Sequence, residues 1–128
     1  MEVIQVVSVE PFAPGDESAS VTLDSGKGQV VAFCWPCGLR VGEEVENRLS
    51  TLEGNASAAY FLDWPADEIE ALSYEWMERT GHYSYKGRGR VVDEIEGLVV
   101  VNGFVIELSN VLSGGYVDFE IKRLDVRT

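Results

Sequence analysis

The sequence feature that most constrains this fold is a short turn, Asn102-Gly103, between two apolar segments. An Asn-Gly pair supplies the two positive-φ positions of a two-residue type I′ turn, which joins adjacent antiparallel strands. With this turn, Val101 lies opposite Phe104. One face of the predicted ribbon is then apolar and must belong to the core: Val99, Val101, Phe104, Ile106 and Leu108.

Residues 83–91, just before this hairpin, alternate in the manner of a third strand. One of its faces carries Tyr83, Tyr85, Gly87, Gly89 and Val91, and the other carries Ser84, Lys86, Arg88 and Arg90. For Val91 to join the core of the hairpin, the connection from Asp93 to Gly97 needs a bulge. Gly97 in the left-handed region would provide it.

Other short segments also have the alternation or the apolar runs of strands: 2–9, 18–24, 29–35, 45–49, 58–64 and 116–126. In residues 29–35 the inward set is either Val31, Phe33 and Trp35 or Val30, Ala32 and Cys34. Residues 65–80 instead have apolar side chains at helical spacing, with a proline in the first turn and acidic residues near the start. They predict one amphipathic helix.

About eight short strands and one helix predict a mainly-β protein with a single domain over residues 1–128. Our first interpretation is a small antiparallel β-barrel of the OB-like kind. It is favoured by the phrase from Leu39 to Val45, LRVGEEV, which resembles the corners of OB and SH3-like barrels. The alternative is a two-sheet α+β roll, because the helix follows about five strands whereas an OB-fold places it after the third.

The charge of the chain restricts its partners. Ten Lys and Arg against 22 Asp and Glu give a net charge of −12, which argues against generic binding to duplex DNA. The same charge suits a basic protein partner. The first residues lack the pattern of a signal peptide, and no apolar run approaches the roughly 20 residues that cross a bilayer. We therefore expect a cytoplasmic protein without a membrane segment.

Cys34 and Cys37 form a C-x-x-C motif, which has redox and metal-binding interpretations. Redox activity needs a thiolate at the start of a helix, and the glycine-containing segment after Cys37 does not have a helical pattern. A zinc site needs two more ligands, and His82 is the single histidine. We predict two structural cysteines and no metal or cofactor, with a redox pair or a metal clip shared across a dimer as the less favoured alternatives.

The basic residues of the third strand are a candidate anion-binding site: Lys86, Arg88 and Arg90, with Tyr83 and Tyr85 beside them. Cations and stacking aromatics on strands are typical of OB-type proteins that bind single-stranded nucleic acid. The alternation weakens this interpretation because it places the tyrosines on the opposite face from the arginines. The simpler interpretation is a solvated strand with three cations.

A second candidate surface is acidic. Residues 43–78 contain ten Asp and Glu and one Arg, a net charge of −9. On the predicted helix, Glu68, Glu70 and Glu75 would form a negative surface that attracts a basic partner, as inhibitor and immunity proteins of nucleases do. The simpler interpretation is a solvated helix face.

No motif for a nucleophile, a phosphate-binding loop, a dinucleotide or a catalytic metal is present in the sequence. We therefore predict a non-catalytic module that acts by binding another protein, with an acidic inhibitor or immunity-type protein as one example. The alternative is an OB-like binder of single-stranded nucleic acid or another anion.

Overall fold

The computed structural model describes residues 3–58, 64–111 and 114–126, and these ranges contain ten strands and one short helix. The elements are β1 (Val3–Pro11), β2 (Ala19–Asp24), β3 (Gln29–Cys34), β4 (Glu44–Glu46), β5 (Ser50–Ala58), α1 (Ala66–Leu72), β6 (Trp76–Arg79), β7 (Tyr85–Asp93), β8 (Leu98–Val101), β9 (Phe104–Glu107) and β10 (Tyr116–Asp125). The mainly-β class is confirmed. Most of the predicted strand 58–64 lies outside the described residues.

The strands form one mixed sheet that is not closed into a barrel, so the OB-like barrel is not confirmed. The order is β4-β1-β2-β3-β10-β7-β8-β9, while β5 pairs with β10 and β6 pairs with β7. β3 meets β10 at a single parallel bridge between Phe33 and Asp125. Two isolated parallel bridges lie near β5 and β9: Leu49, just before β5, pairs with Ile106 of β9, and Asn55 of β5 pairs with Ser109, just after β9. The two-sheet roll is also not the observed arrangement, since the described strands belong to one branched sheet.

The predicted hairpin is confirmed in register and in turn geometry. Val99 pairs with Ile106, and Val101 pairs with Phe104. Asn102 and Gly103 have φ values of 49° and 82°, as the type I′ turn requires. The five apolar residues of the predicted ribbon face are buried: Val99, Val101, Phe104, Ile106 and Leu108.

The predicted bulge before the hairpin is also confirmed. The register of β7 and β8 shifts between Val91 and Asp93, and Gly97 has a φ of 71°. This shift lets Val91 pair with Val99 and pack against the core. A bulge in β1, between Val6 and Ser8, has a similar effect, because it allows both Val6 and Val9 to face the core.

The register of β2 and β3 decides which face of β3 points inward. Leu23 pairs with Val30 across the four-residue turn that follows Asp24. The inward set is therefore Val30, Ala32 and Cys34, all of them buried. Phe33 consequently lies on the outer face, and Trp35 follows the strand in phase with it.

The predicted helix over residues 65–80 is wrong in length. α1 ends at Leu72, where Ser73 Oγ donates a hydrogen bond to the Ile69 carbonyl, and residues 76–79 form β6 against β7. The open edge of β7 explains the change, since its backbone groups need hydrogen-bond partners. Gly87 allows the close approach, because a Cβ there would collide with the Trp76 carbonyl oxygen. Within the described residues, no helix is both long and apolar enough to cross a bilayer.

Candidate functional site

The predicted basic residues Lys86, Arg88 and Arg90 do not form one exposed surface, because Arg88 is buried. Only 5% of Arg88 is exposed, and its Nε donates to Asp118 Oδ1 at 2.7 Å. Its Nη1 donates to the Leu72 carbonyl at 3.2 Å, at the end of α1. The alternation correctly placed Arg88 on the outer face of β7, but α1 and β10 cover it there. The expectation of three solvated cations is therefore wrong for this residue.

Lys86 and Arg90 are exposed, but acidic groups surround Lys86. Its Nζ lies 3.7 Å from Glu78 Oε2 on the neighbouring strand. A groove of about 410 Å³ passes beside it, and Asp118 and Glu120 line the same groove. An anion entering here would meet two carboxylates next to the lysine, which disfavours its binding.

The two tyrosines of the predicted site have separate environments. Tyr85 is buried, and its hydroxyl accepts from the Val31 N–H at 2.7 Å and donates to the Val31 carbonyl at 3.1 Å. Burial raises the pKa of Tyr85 above its ordinary value. Tyr83 is half-buried and lies beside Phe33 on the outer face. Tyr85 therefore provides hydrogen-bond partners for the backbone of Val31 in β3, whereas Tyr83 is partly accessible to solvent.

Because the helix is shorter than predicted, only two of the three predicted acidic contact residues lie on it. Glu68 is exposed on α1, Glu70 is exposed beside it, and no residue of this helix is buried. Glu75 lies beyond the helix and accepts a hydrogen bond from the Asn102 N–H at 2.9 Å. Glu75 thus holds the tip of the β8–β9 hairpin. The acidic surface on the helix is reduced to its first two turns.

The two cysteines are free thiols in contact with each other. Burial, with a smaller contribution from the neighbouring Cys37 thiol, raises the pKa of the Cys34 thiol to about 12. A redox-active C-x-x-C needs the opposite shift. Within the described ranges, no group of three His, Cys, Asp or Glu side chains is placed to hold a metal ion. The raised pKa of Cys34 therefore favours the structural interpretation of the pair over the redox one.

We expect Cys37, which is half-buried, to react with iodoacetamide in the folded protein, while Cys34 resists until the protein unfolds. Peptide mapping by mass spectrometry after graded denaturation measures both sites. Fast modification of Cys34 under native conditions would contradict its burial.

The stability should also depend on pH through Cys34. Its thiol holds its proton more tightly when folded, so stability is present below the ordinary pKa of 9.0 and is lost as pH rises toward about 12. The Cys34→Ala variant should lose less stability over this range, as measured by denaturant unfolding at each pH.

The outer face of β3 carries aromatic side chains in mutual contact. The ring centroids of Phe12 and Phe33 are 5.9 Å apart, and those of Phe33 and Tyr83 are 5.6 Å apart. The His82 ring lies 4.3 Å from Tyr83 in an edge-on arrangement. Phe12 and Trp35 are 56% and 63% exposed. We refer to five residues together as the aromatic face: Phe12, Phe33, Trp35, His82 and Tyr83.

The aromatic face already contacts one cation of the protein itself, the guanidinium of Arg123. The Arg123 guanidinium carbon lies 4.5 Å from the centroid of Phe33. Its nitrogens donate to the two carboxylate oxygens of Asp125, at 2.7 and 3.1 Å. The carboxylate raises the pKa of Arg123, which remains charged. A guanidinium is thus held between an aromatic ring and a carboxylate on this side of the sheet.

Ser20 connects His82 and Tyr83 at the edge of the aromatic face. Ser20 Oγ lies 3.0 Å from His82 Nε2 and 2.6 Å from the Tyr83 hydroxyl. The other ring nitrogen, Nδ1, faces Arg79 at 3.5 Å. A guanidinium only donates, so the tautomer that fits both contacts has its proton on Nε2 and accepts from Arg79 at Nδ1. Ser20 Oγ then links the His82 ring to the Tyr83 hydroxyl.

Sequence reasoning missed most of the aromatic face, although a signal for it was present. A four-residue turn after Asp24 pairs Leu23 with Val30, which requires Phe33 to point outward. The contacts of Ser20 with His82 had no such signal, since 62 residues separate them. Comparison with known proteins identifies no matching family model, no matching curated protein and no matching solved structure.

Proposed function

We propose that this protein is a non-catalytic binding module whose partner is another protein with a basic surface. The observation that carries the proposal is the exposure of Phe12, whose ring contacts Phe33, and of Trp35, which directly follows the strand of Phe33. Grouped, exposed aromatic side chains are typical of protein interfaces, where Trp, Tyr and Arg contribute most of the binding energy. The contacts of Phe33 with Phe12, Tyr83 and Arg123 hold the cluster in place before binding, which lowers the entropy lost on association.

The charge of the chain supports the basic character of the partner. With a net charge of −12, the protein attracts cationic surfaces at long range and repels other acidic proteins, including its own copies. Glu68 and Glu70 on α1 are exposed and add to this field. An inhibitor that covers the positively charged site of a basic enzyme would be one member of this class.

The alternative, binding of single-stranded nucleic acid or another anion, has less support. Arg88 is engaged by Asp118 and α1, and the groove beside Lys86 contains two carboxylates. Of the predicted cations, Arg90 is the one that remains exposed without an ion pair to a described residue. One exposed arginine on a strongly acidic protein provides little counterion release.

The test of the proposal is capture of partners from extracts of the source cells, followed by calorimetric titration of each candidate in purified form. We expect a basic protein to bind with a Kd of about 1 μM or tighter, and its affinity to fall as salt is raised. Reversing Glu68 and Glu70 to lysine should weaken binding about threefold by removing attraction. Ile95→Ser is the control. Ile95 is exposed in the connection between β7 and β8, and its replacement should have no effect.

Two outcomes would contradict the proposal. One is that no purified candidate binds. The other is salt-sensitive binding of single-stranded DNA or RNA that is abolished by Lys86→Glu and Arg90→Glu, measured by fluorescence anisotropy at low salt. That second outcome would favour the anion-binding alternative.

A further inference from the structure

The aromatic face has an acidic margin formed by Glu10, Asp16 and Glu17, which we refer to as the acidic rim. Glu10 lies opposite Ser20, and Ser20 lies opposite Phe33, so the three side chains share the outer side of adjacent strands. The loop after β1 brings the other two acids to the same end of the sheet. It is closed by a hydrogen bond from the Phe12 N–H to the Ser18 carbonyl, at 3.0 Å.

This loop is also tied to the segment that carries Trp35. The Cys37 N–H donates to the Glu17 carbonyl at 2.7 Å, just beyond Trp35. The backbone segments that carry Phe12, Glu17 and Trp35 are therefore joined at one end of the sheet. All three rim carboxylates are exposed, and none forms an ion pair with another residue of the described ranges.

We propose that the aromatic face and the acidic rim dock an extended, arginine-containing segment of the partner protein. This inference rests on the proposed function and names its contact surface and the chemistry of its ligand. Carboxylates without cationic partners beside exposed aromatic rings are complementary to guanidinium groups, which stack on rings and pair with carboxylates at the same time. Arg123, between Phe33 and Asp125, is an example of that arrangement within the protein itself.

The charge of the protein selects against the other possible occupants. A second copy of this chain would bring another net charge of −12 to the surface. A nucleic acid would place phosphates against the three carboxylates of the rim. Arginine is preferred to lysine because its planar guanidinium stacks on indole and phenyl rings and is more weakly hydrated.

The proposal is tested with three short synthetic peptides: alternating arginine and glycine, alternating lysine and glycine, and alternating citrulline and glycine. Citrulline keeps the shape of arginine and removes its charge. We expect the arginine peptide to bind the full-length protein about threefold more tightly than the lysine peptide, and the citrulline peptide to bind much more weakly. Calorimetry at low and physiological salt gives the affinities, and change in tryptophan fluorescence reports contact with an indole.

The variants separate this surface from general attraction by the acidic protein. Phe12→Ser with Trp35→Ser leaves the net charge unchanged and should reduce arginine-peptide affinity about tenfold. Ile95→Ser, which also removes an exposed apolar side chain, should leave it unchanged. Glu10→Gln with Glu17→Gln should weaken binding more than Glu68→Gln with Glu70→Gln, since both pairs remove the same charge but only the first lies at the aromatic face. Circular dichroism checks that each variant is folded.

Equal affinity for the arginine peptide in the aromatic variant and the Ile95→Ser control would overturn the proposal. So would equal effects of the two glutamine pairs, because binding would then depend on net charge alone. If the partner found by capture binds the Phe12→Ser, Trp35→Ser protein as tightly as the wild type, this surface is wrong while the proposed function stands. Loss of both partner and peptide binding only in the aromatic variant would support both.

Discussion

Replacing Arg88 with methionine is expected to lower the free energy of unfolding by about 3 kcal/mol, because it removes one member of a buried ion pair. Arg88 is 5% exposed and bonds both Asp118 and the Leu72 carbonyl. Methionine keeps the unbranched apolar stem of the side chain but leaves the partly buried Asp118 carboxylate without this partner. Denaturant unfolding followed by tryptophan fluorescence measures the difference.

The matched control is Lys86→Met on the same strand. Lys86 pairs with Glu78 at 3.7 Å and both side chains are exposed, so its loss should change stability by about 0.5 kcal/mol or less. A double-mutant cycle with Asp118→Asn isolates the pair itself, with an expected coupling of about 1 to 2 kcal/mol. If Arg88→Met and Lys86→Met have the same effect, the ion pair between Arg88 and Asp118 does not stabilise the fold more than the exposed pair does.

Gly97→Ala is expected to lower the free energy of unfolding by about 3 kcal/mol, for two reasons that act together. Gly97 has a φ of 71°, which strains a residue with a side chain by about 1 kcal/mol. A Cβ at this position would also collide with the carbonyl oxygen of Leu108. Relieving that collision shifts the backbone and breaks the hydrogen bond that the Leu108 N–H donates to the Gly97 carbonyl, adding about 2 kcal/mol.

Gly15→Ala separates the two contributions. Gly15 has a φ of 82°, and a Cβ there would meet no atom within 4 Å. Its substitution should therefore lower stability by about 1 kcal/mol, the strain alone. Chemical unfolding of both variants under the same conditions gives the comparison. Equal losses would mean that the contact with Leu108 relaxes without effect.

The local parts of the fold were predictable because short-range sterics decide them. The positive φ values of Asn102 and Gly103 follow from turn chemistry, and the alternation of apolar residues then sets which side of the hairpin is buried. The bulge at Gly97 follows from the need to bring Val91 to the same side. Each of these inferences involves residues within a few positions of one another.

The helix boundary was not predictable in this way. Trp76 and Met77 continue the apolar spacing of the helix, yet they belong to β6. The reason lies in β7, where Gly87 lets a neighbouring strand approach closely and supplies hydrogen-bond partners for it. Tertiary pairing of this kind overrides a helical preference of a few tenths of a kcal/mol per residue.

The candidate site shows the same division. The pattern of β7 correctly placed Arg88 on the face opposite Tyr85, but α1 and Asp118 cover that face, so a residue predicted to bind a ligand stabilises the fold. Conversely, the sequence did not decide whether Phe33 and Trp35 face the core or the solvent. Pairing of β3 with β2 places them outside, and Phe33 contacts Phe12, Tyr83 and Arg123 there.

By itself, the sequence determined a mainly-β chain, the β8–β9 hairpin with its buried face, the bulge before it and the net charge of −12. The tertiary structure alone decided how the strands are ordered, that the sheet remains open, what covers Arg88 and which aromatic rings meet at the surface. Turn geometry and alternation depend on neighbours along the chain, where steric rules apply directly. Strand order and side-chain burial depend on contacts between distant segments, and these are selected by the packing of the whole molecule.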